Sequence, residues 1–509
     1  MGKNMKRKTA VASTLALLVG LSIASTGNAQ APKMKMTTEI PPGIATPDTL
    51  ETPLGTLRSL DGVPDAKTTQ RVFDNLDFQR ATQAYLSTIQ ISSMDAMRKG
   101  LLTFGPANRT ALLFEDLMDS KALWLTPNTV SVYMAMWLEL GDEPMVLETP
   151  PNVLGLIDDA WFKYVADFGN AGPDKGKGGK FLILPPGYKG EVPEGYHVAR
   201  TETHGNWVLW RGFQVDGSTK TAVDATKNQF RVYSLSQKDD PPAMNFVNVS
   251  GKFHNTIHRM DYGYWEELNE VIQREPVDAL DPEILGWLAT IGIEHGKAFD
   301  PDPRMKKILT DAANVAAVTA RALTARPRDQ RLYVYPGERV WTNPFIQGRY
   351  DFLLDGVRLI DSRIYMHFYA TGITPAMSVK NVGKGSQYLI AYLDKDGNAL
   401  DGSKTYKIHL PPNVPAKDFW SFTIYDTQTR SMLQTDQQFP GLDNNQEGLK
   451  KNADGSYDIY FSPKPPEGMK NNWIQSVPGK GWHTIFRLYG PLEPFYDKSW
   501  KPSDPEVVE

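Results

Sequence analysis

The apolar positions of this chain change period along its length. From Phe73 to Ile89 they recur at helical spacing, whereas Val130, Val132, Met134, Met136 and Leu138 alternate and predict a half-buried strand. Leu154, Ile157, Trp161, Tyr164 and Phe168 return at helical intervals and predict a second helix. The run Phe181-Leu182-Ile183-Leu184 ends at Pro185-Pro186, and Trp207 to Phe213 and Phe230 to Leu235 read as further strands. Helices and strands without a regular βαβ alternation predict an α+β domain over 52–250.

The region 251–329 is predicted to be a helical connection. Asp281-Pro282 and Asp302-Pro303 each place a capping carboxylate before a proline at the first helical position. Met305, Ile308, Leu309, Ala312, Val315, Ala316, Thr319 and Leu323 then form one apolar stripe, expected to pack against a sheet or bridge two sheets. From 330 to 509 short strands dominate. Tyr388 to Leu393 and Tyr406 to Leu410 flank the loop Asp394-Lys395-Asp396-Gly397-Asn398 and predict a hairpin. Asp418 to Tyr425, Tyr457 to Phe461 and Trp482 to Tyr489 follow, so the C-terminal domain is expected to be a jelly-roll-like β-sandwich.

Residues 1–29 change the picture of where this fold works. Lys3, Lys6, Arg7 and Lys8 form a basic head, Thr9 to Ala24 an apolar run, and Gly27-Asn28-Ala29 a small-residue cleavage site, which together predict a signal peptide. The run is too short and too polar for a membrane anchor. After cleavage, 30–51 is expected to be an extended tether, with Pro32, Pro41, Pro42 and Pro47, and the protein to be periplasmic or secreted with no stable membrane span. The formal net charge is −4 and becomes more negative once the basic head is removed, which argues against nucleic acid as a partner. There is no cysteine, so disulfides, thiol nucleophiles and zinc-thiolate sites are excluded.

Several stretches resemble a bacterial exported family with paired domains of unknown function, the twelve-fifty-four type followed by the twelve-fourteen type. In the first half these are Leu125-Thr126-Pro127-Asn128-Thr129 and Gly172-Pro173-Asp174-Lys175-Gly176-Lys177-Gly178-Gly179-Lys180. In the second they are Pro415-Ala416-Lys417-Asp418-Phe419-Trp420-Ser421, Pro478-Gly479-Lys480-Gly481-Trp482 and Arg487-Leu488-Tyr489-Gly490-Pro491-Leu492. The resemblance implies an exported two-domain protein whose C-terminal part looks like a jelly roll. It implies no catalytic residue.

The residues themselves carry no G-x-S-x-G elbow, H-E-x-x-H pair or P-loop. The lysine-bearing Gly172 to Gly179 loop enters a strand rather than a helix, and so reads as a turn rather than an anion cradle. His254 and His258 have i, i+4 spacing but lack the neighbouring carboxylate of a metal pair, and Asp394, Asp396 and Asn398 fit a turn better than a calcium loop. Asp158, Asp159 and Asp167 read as capping or solvated carboxylates. No metal is assigned, and cofactor and oligomeric state stay open.

The last strands offer the best candidate surface. Alternation puts Trp420, Phe422, Ile424, Tyr457, Ile459, Phe461, Trp482, Phe486 and Leu488 in a core, and Tyr425, Asp458, Tyr460, His483, Arg487 and Tyr489 on the opposite faces. If the strands are neighbours, those six line one surface suited to a saccharide-like, aromatic or carboxylate-bearing molecule. The alternative is an inter-domain contact in which Arg487 pairs with an acid. Two functions are therefore open. In an exported hydrolase or lyase, His483, Asp426 or Asp458 would be the acid or base, with Arg487 on an anionic group. In a binding or structural envelope protein, Tyr425, Tyr460, Arg487 and Tyr489 would only hold the ligand.

Overall fold

The computed structural model describes residues 34–508. The signal peptide expected at 1–29 and the start of the tether lie outside them. The chain divides into two compact units between Arg71 and Val72. In the first, the strands Thr49–Thr52, Gly55–Leu60 and Val63–Pro64 form a small antiparallel sheet. Pairing begins at Thr49, within the segment expected to be a tether, because Thr49–Thr52 finds backbone partners across the turn at Thr52 to Gly55.

The helix Ala66–Leu102 begins in the first unit, and its buried face in the second runs from Ala81 to Leu101. The second unit contains a six-stranded sheet in the order Asn245–Asn248, Thr110–Leu113, Val132–Glu139, Gly205–Gly212, Leu154–Asp159, Tyr164–Gly169. A four-stranded sheet, in the order His197–Arg200, Gly179–Leu184, Met145–Thr149, Arg231–Ser234, shares a core with it through Met134, Met136, Trp210, Leu147, Phe181 and Val232. The other face of the six-stranded sheet, carrying Ala135, Trp137, Leu156 and Trp207, lies in a second core with Tyr365, Tyr369, Ile390, Tyr425 and Ile485. The alternation expected at Val132 to Leu138 is therefore that of a strand buried on both faces, since each parity meets a different core.

The helix expected over Leu154 to Phe168 is instead a β-hairpin of Leu154–Asp159 and Tyr164–Gly169. Its cause is local. Asp159 Oδ1 accepts from the amides of Trp161 (2.9 Å) and Lys163 (2.8 Å) and closes the turn, with Phe162 at φ 60°. Gly155 lies under the Phe168 ring across the strands, where a Cβ would come within 2.1 Å of it.

Asp281 and Asp302 do cap the helices Pro282–Thr290 and Pro303–Ala325, accepting from Glu283 N (2.9 Å) and Met305 N (2.7 Å). The long helix packs among helices rather than on a sheet. Its buried face is Leu309, Ala312, Ala313, Ala316, Ala317 and Ala320, in a core with Tyr264, Trp265, Leu268, Ile364 and Phe368. Small alanines are the surface that lets helices approach closely, whereas Val315 of the expected stripe is 46 % exposed.

In the C-terminal half, one four-stranded sheet has the order Ser386–Ala391, Trp482–Pro491, Ala416–Asp426, Gly441–Asp443 and another the order Trp473–Gln475, Tyr457–Ser462, Tyr406–Leu410, Glu506–Val507. Trp420, Phe422, Ile424, Ile459, Phe461, Trp482, Phe486 and Leu488 share the core that joins them. The segments expected to pair as a hairpin, around 388 and 406, fall in different sheets. The loop between them crosses over, its turn held by Asp394 Oδ1 accepting from Asp396 N (3.0 Å) and Asn398 N (2.8 Å).

Candidate functional site

The strand Trp482–Pro491 is buried along its whole length, so both of its parities meet protein. Trp482, Phe486 and Leu488 enter the core between the two C-terminal sheets, and Ile485 enters the core shared with the six-stranded sheet. On the same parity as Ile485 stand His483, Arg487 and Tyr489. The neighbouring strand places Tyr425 opposite His483 and Phe419 opposite Tyr489.

These side chains clasp the loop Leu125-Thr126-Pro127-Asn128-Thr129. Arg487 Nη2 donates to Thr126 O (3.2 Å) and to Tyr425 Oη (2.7 Å), while Nη1 donates to Thr423 Oγ1 (3.1 Å). Tyr425 Oη donates onward to Pro127 O (2.6 Å), and Asn128 Nδ2 donates to Tyr489 Oη (2.5 Å). Thr126 sits at φ 48°, a left-handed conformation uncommon for a β-branched residue, and this turns its carbonyl to the arginine. Two stretches that carried the family resemblance, 125–129 and 487–492, are thus bonded to each other.

Beside this clasp is a cavity of about 120 Å³, room for several waters or one small organic molecule. The six-stranded sheet supplies Tyr133, Leu156, Leu209 and Arg211, and the C-terminal sheet supplies Tyr388, Ile485 and Arg487. The segment 369–377 closes it, with Gly372 at φ 79° close against the Trp207 ring and Thr374 donating to both oxygens of Asp167 (2.6 and 2.8 Å).

Two guanidinium groups therefore face one largely apolar space. Arg211 Nη2 donates to Ser386 Oγ (3.3 Å) and its guanidinium lies 5.2 Å from the centre of the Tyr489 ring. Among the described residues neither Arg211 nor Arg487 has a carboxylate partner. Burial works against the charge of both, but the hydroxyls around them prevail: Tyr133, Tyr489 and Tyr388 at Arg211, and Tyr425, Tyr489 and Tyr133 at Arg487, keep each above its ordinary pKa. Both arginines also act on Tyr388 and Tyr489, which places them about the same pair of rings. Taking a charge out of water costs several kcal/mol unless hydrogen bonds or a counter-ion offset it, and here hydroxyls and a carbonyl take that part without a carboxylate among the described residues. An apolar space lined by two guanidinium groups has the chemistry to accept an anion.

The six residues expected to share one surface do not. Tyr425, His483, Arg487 and Tyr489 are together and buried, whereas Asp458 and Tyr460 are on the other C-terminal sheet. Asp458 Oδ1 is bonded to His409 Nδ1 (2.7 Å) and its Oδ2 accepts from Asn452 Nδ2 (3.2 Å). The strand Tyr457–Ser462 lies in the sheet facing Ala416–Asp426 and Trp482–Pro491, so equal parity does not mean a common face. Asp426 closes the turn after its strand, accepting from Gln428 N (2.6 Å) and Thr429 N (3.1 Å), and pairs with Lys480 (2.8 Å). His483 does not reach the cavity. It lies between the rings of Tyr392 (4.3 Å) and Tyr425 (5.0 Å) with neither nitrogen bonded, and burial, with Arg430 and Arg487 nearby, lowers its pKa to about 3. The acid expected beside Arg487 is replaced by carbonyls and hydroxyls.

The other sequence candidates have structural surroundings. His254 and His258 lie outside any helix. Trp124 Nε1 donates to His254 Nε2 (2.6 Å), and His258 is bonded to Arg259 O (2.8 Å). Among the described residues no cluster of three His, Asp or Glu could hold a metal ion. Asp174 of the glycine-rich loop accepts from Gly169 N (2.7 Å), and Lys180 pairs with Glu148 (2.8 Å). Asp158, Asp159 and Asp167 are buried on the hairpin rather than solvated at helix ends, and burial raises all three, Asp159 to about 7 and Asp167 to about 6. Arg211, Tyr133, Tyr388 and Thr374 escaped the sequence reading. The one available signal was an arginine at the end of Trp207-Val208-Leu209-Trp210-Arg211, a run too apolar to belong to a strand with a wet face.

Residues 108–234 match the family described as Protein of unknown function (DUF1254), and residues 385–493 match Protein of unknown function (DUF1214). The paired domains implied by the sequence motifs are present in that order, and the cavity draws residues from both. No curated protein matches. Among solved structures, the chain is similar to the VPA0106 protein from Vibrio parahaemolyticus, with a TM-score of 0.53 and 21% identity over 85% of this chain and 100% of that one. A putative uncharacterized protein from Burkholderia cenocepacia aligns with a TM-score of 0.40 and 12% identity over 87% of this chain and 97% of that one.

Proposed function

We propose that this is an exported protein that captures a small organic anion in the cavity between its six-stranded and C-terminal sheets. Export rests on the basic head and apolar run of residues 1–29, and the two C-terminal sheets are read as a jelly-roll-like sandwich. The observation that carries the reading is the pair Arg211 and Arg487, two guanidinium groups without carboxylate partners among the described residues, facing one apolar space. Arg487 is fixed by its bonds to Thr126, Thr423 and Tyr425, while Arg211, bonded to Ser386 and lying over the Tyr489 ring, brings a second guanidinium to the same wall. Capture is favoured over hydrolysis or elimination because His483, Asp426 and Asp458 are engaged or enclosed away from the cavity.

Benzoate is a suitable probe, an apolar ring with one carboxylate, and Trp124 in the cavity wall provides a fluorescence signal. Benzoate is expected to quench that signal saturably, and the neutral benzamide to bind at least tenfold more weakly. Absence of a saturable response to benzoate and to longer-chain carboxylates would count against the reading.

A further inference from the structure

The register of the C-terminal sheet fixes where the two cavity arginines reach. On its neighbouring strands Ser386 stands opposite Tyr489, and Tyr388 opposite Arg487. Arg211 comes from the six-stranded sheet and docks at the first of these rows, bonded to Ser386 Oγ (3.3 Å) with its guanidinium 5.2 Å from the centre of the Tyr489 ring. Arg487 leans the other way, to Thr423 Oγ1 (3.1 Å) and Tyr425 Oη (2.7 Å), which belong to the rows of Ile485 and His483. The two guanidinium groups thus mark separate points of the cavity wall, one to two side-chain repeats apart along the strand, or about 7–14 Å.

Both have donors to spare, because a guanidinium carries more N–H groups than these bonds use. Arg487 gives three hydrogen bonds, to Thr126, Thr423 and Tyr425. Arg211 gives one to Ser386, and the Tyr133 hydroxyl is close enough to take another. No nitrogen of either residue is at once unbonded and sealed from water, so the spare donors open on the space that both residues line.

No acid balances these charges. Among the described residues Arg211 and Arg487 are the only charged side chains lining the cavity. Asp158 and Asp167, which hold the 369–377 segment, are engaged by Ile373 N (2.8 Å) and Thr374 Oγ1 (2.6 and 2.8 Å). Neither is among the groups that keep the arginines charged, which are tyrosine hydroxyls at both. A ligand with one negative charge therefore leaves a guanidinium in a largely apolar space without a counter-ion, whereas a ligand with two answers both.

We propose that the preferred ligand of this cavity is a small dicarboxylate, its two carboxylates at separate positions on one apolar skeleton, one on Arg211 and the other on Arg487. The skeleton lies among Leu156, Leu209, Ile485 and the rings of Tyr133 and Tyr388. The inference rests on the anion-capture reading above and adds the charge and spacing of what is captured.

Isophthalate, a ring with two carboxylates, is the probe. It is titrated into the full chain by calorimetry beside benzoate and 3-carbamoylbenzoate, which keeps the shape of isophthalate with a single charge. Isophthalate is expected to bind at least tenfold more tightly than either, and Arg211→Met to weaken isophthalate at least tenfold more than it weakens benzoate, so that the preference vanishes. Benzoate or 3-carbamoylbenzoate binding as tightly as isophthalate overturns the dicarboxylate and leaves anion capture standing. A preference for isophthalate that survives Arg211→Met also overturns it, since the second charge would then be met elsewhere. Binding of neither benzoate nor isophthalate removes the anion-capture reading and this inference with it. Should Arg211→Met fail to fold, the three ligands compared on the wild-type chain decide the question.

Discussion

Arg487 Nη2 donates to the Tyr425 hydroxyl at 2.7 Å, and that hydroxyl in turn donates to Pro127 O at 2.6 Å. Tyr425→Phe therefore strips one acceptor from a buried arginine and one donor from a buried carbonyl while keeping the ring. Leaving such groups unsatisfied costs about 1–3 kcal/mol each, and partial rearrangement brings the expected loss to about 2–4 kcal/mol. Denaturant unfolding of the two proteins measures it; an unchanged midpoint would mean the clasp contributes nothing to stability.

Arg211 should separate binding from stability. It is bonded to Ser386, lies over the Tyr489 ring and forms no ion pair among the described residues, so Arg211→Met is expected to lower the melting temperature less than Tyr425→Phe does, while weakening benzoate at least tenfold. Parallel melting and fluorescence titrations check both halves, and equal benzoate affinity in the two proteins would remove Arg211 from the site.

Asp167 gives a pH signature. Burial raises its pKa from 3.8 to about 6, so the folded chain keeps a proton that the unfolded chain has released. That contribution to stability is complete below pH 3.8 and disappears as pH rises through about 6. Asp167→Asn lacks it, so the variant should lose, relative to wild type, about 1–3 kcal/mol more on going from about pH 8 to about pH 4. Denaturant unfolding across that range measures the difference, and parallel curves would refute the assignment.

His483 acts in the opposite sense. Its pKa falls from 6.5 to about 3, so the unfolded chain takes up a proton first; stability present above pH 6.5 is lost as pH falls toward 3. His483→Phe keeps a ring between Tyr392 and Tyr425 without a titrating group. It is expected to lose about 2–3 kcal/mol less than wild type between about pH 7 and about pH 4.5, measured by the same unfolding curves.

What could be read in the sequence was local. The caps at Asp281 and Asp302 were legible because proline and carboxylate act within one turn, and the parity of Trp482 to Tyr489 was legible because a strand alternates whatever it faces. The hairpin at Leu154 to Gly169 was not, because its apolar residues also fit helical spacing and the deciding contact, Gly155 under Phe168, spans the two strands. Arg487 could be picked out by residue type on an apolar strand. Its partner across the cavity, Arg211, could not, since the two stand 276 positions apart in sequence and only the packing of two sheets brings them to one space.

The bond between Asn128 and Tyr489 joins residues 361 positions apart. Such a closure cannot form while the later residue is still inside a ribosome or unfolded, so the pocket is complete only after both segments have been made and folded. A polypeptide caught midway has its first-half loop loose and its receptor half-built. The capture proposed above therefore requires both halves of the chain to be in place.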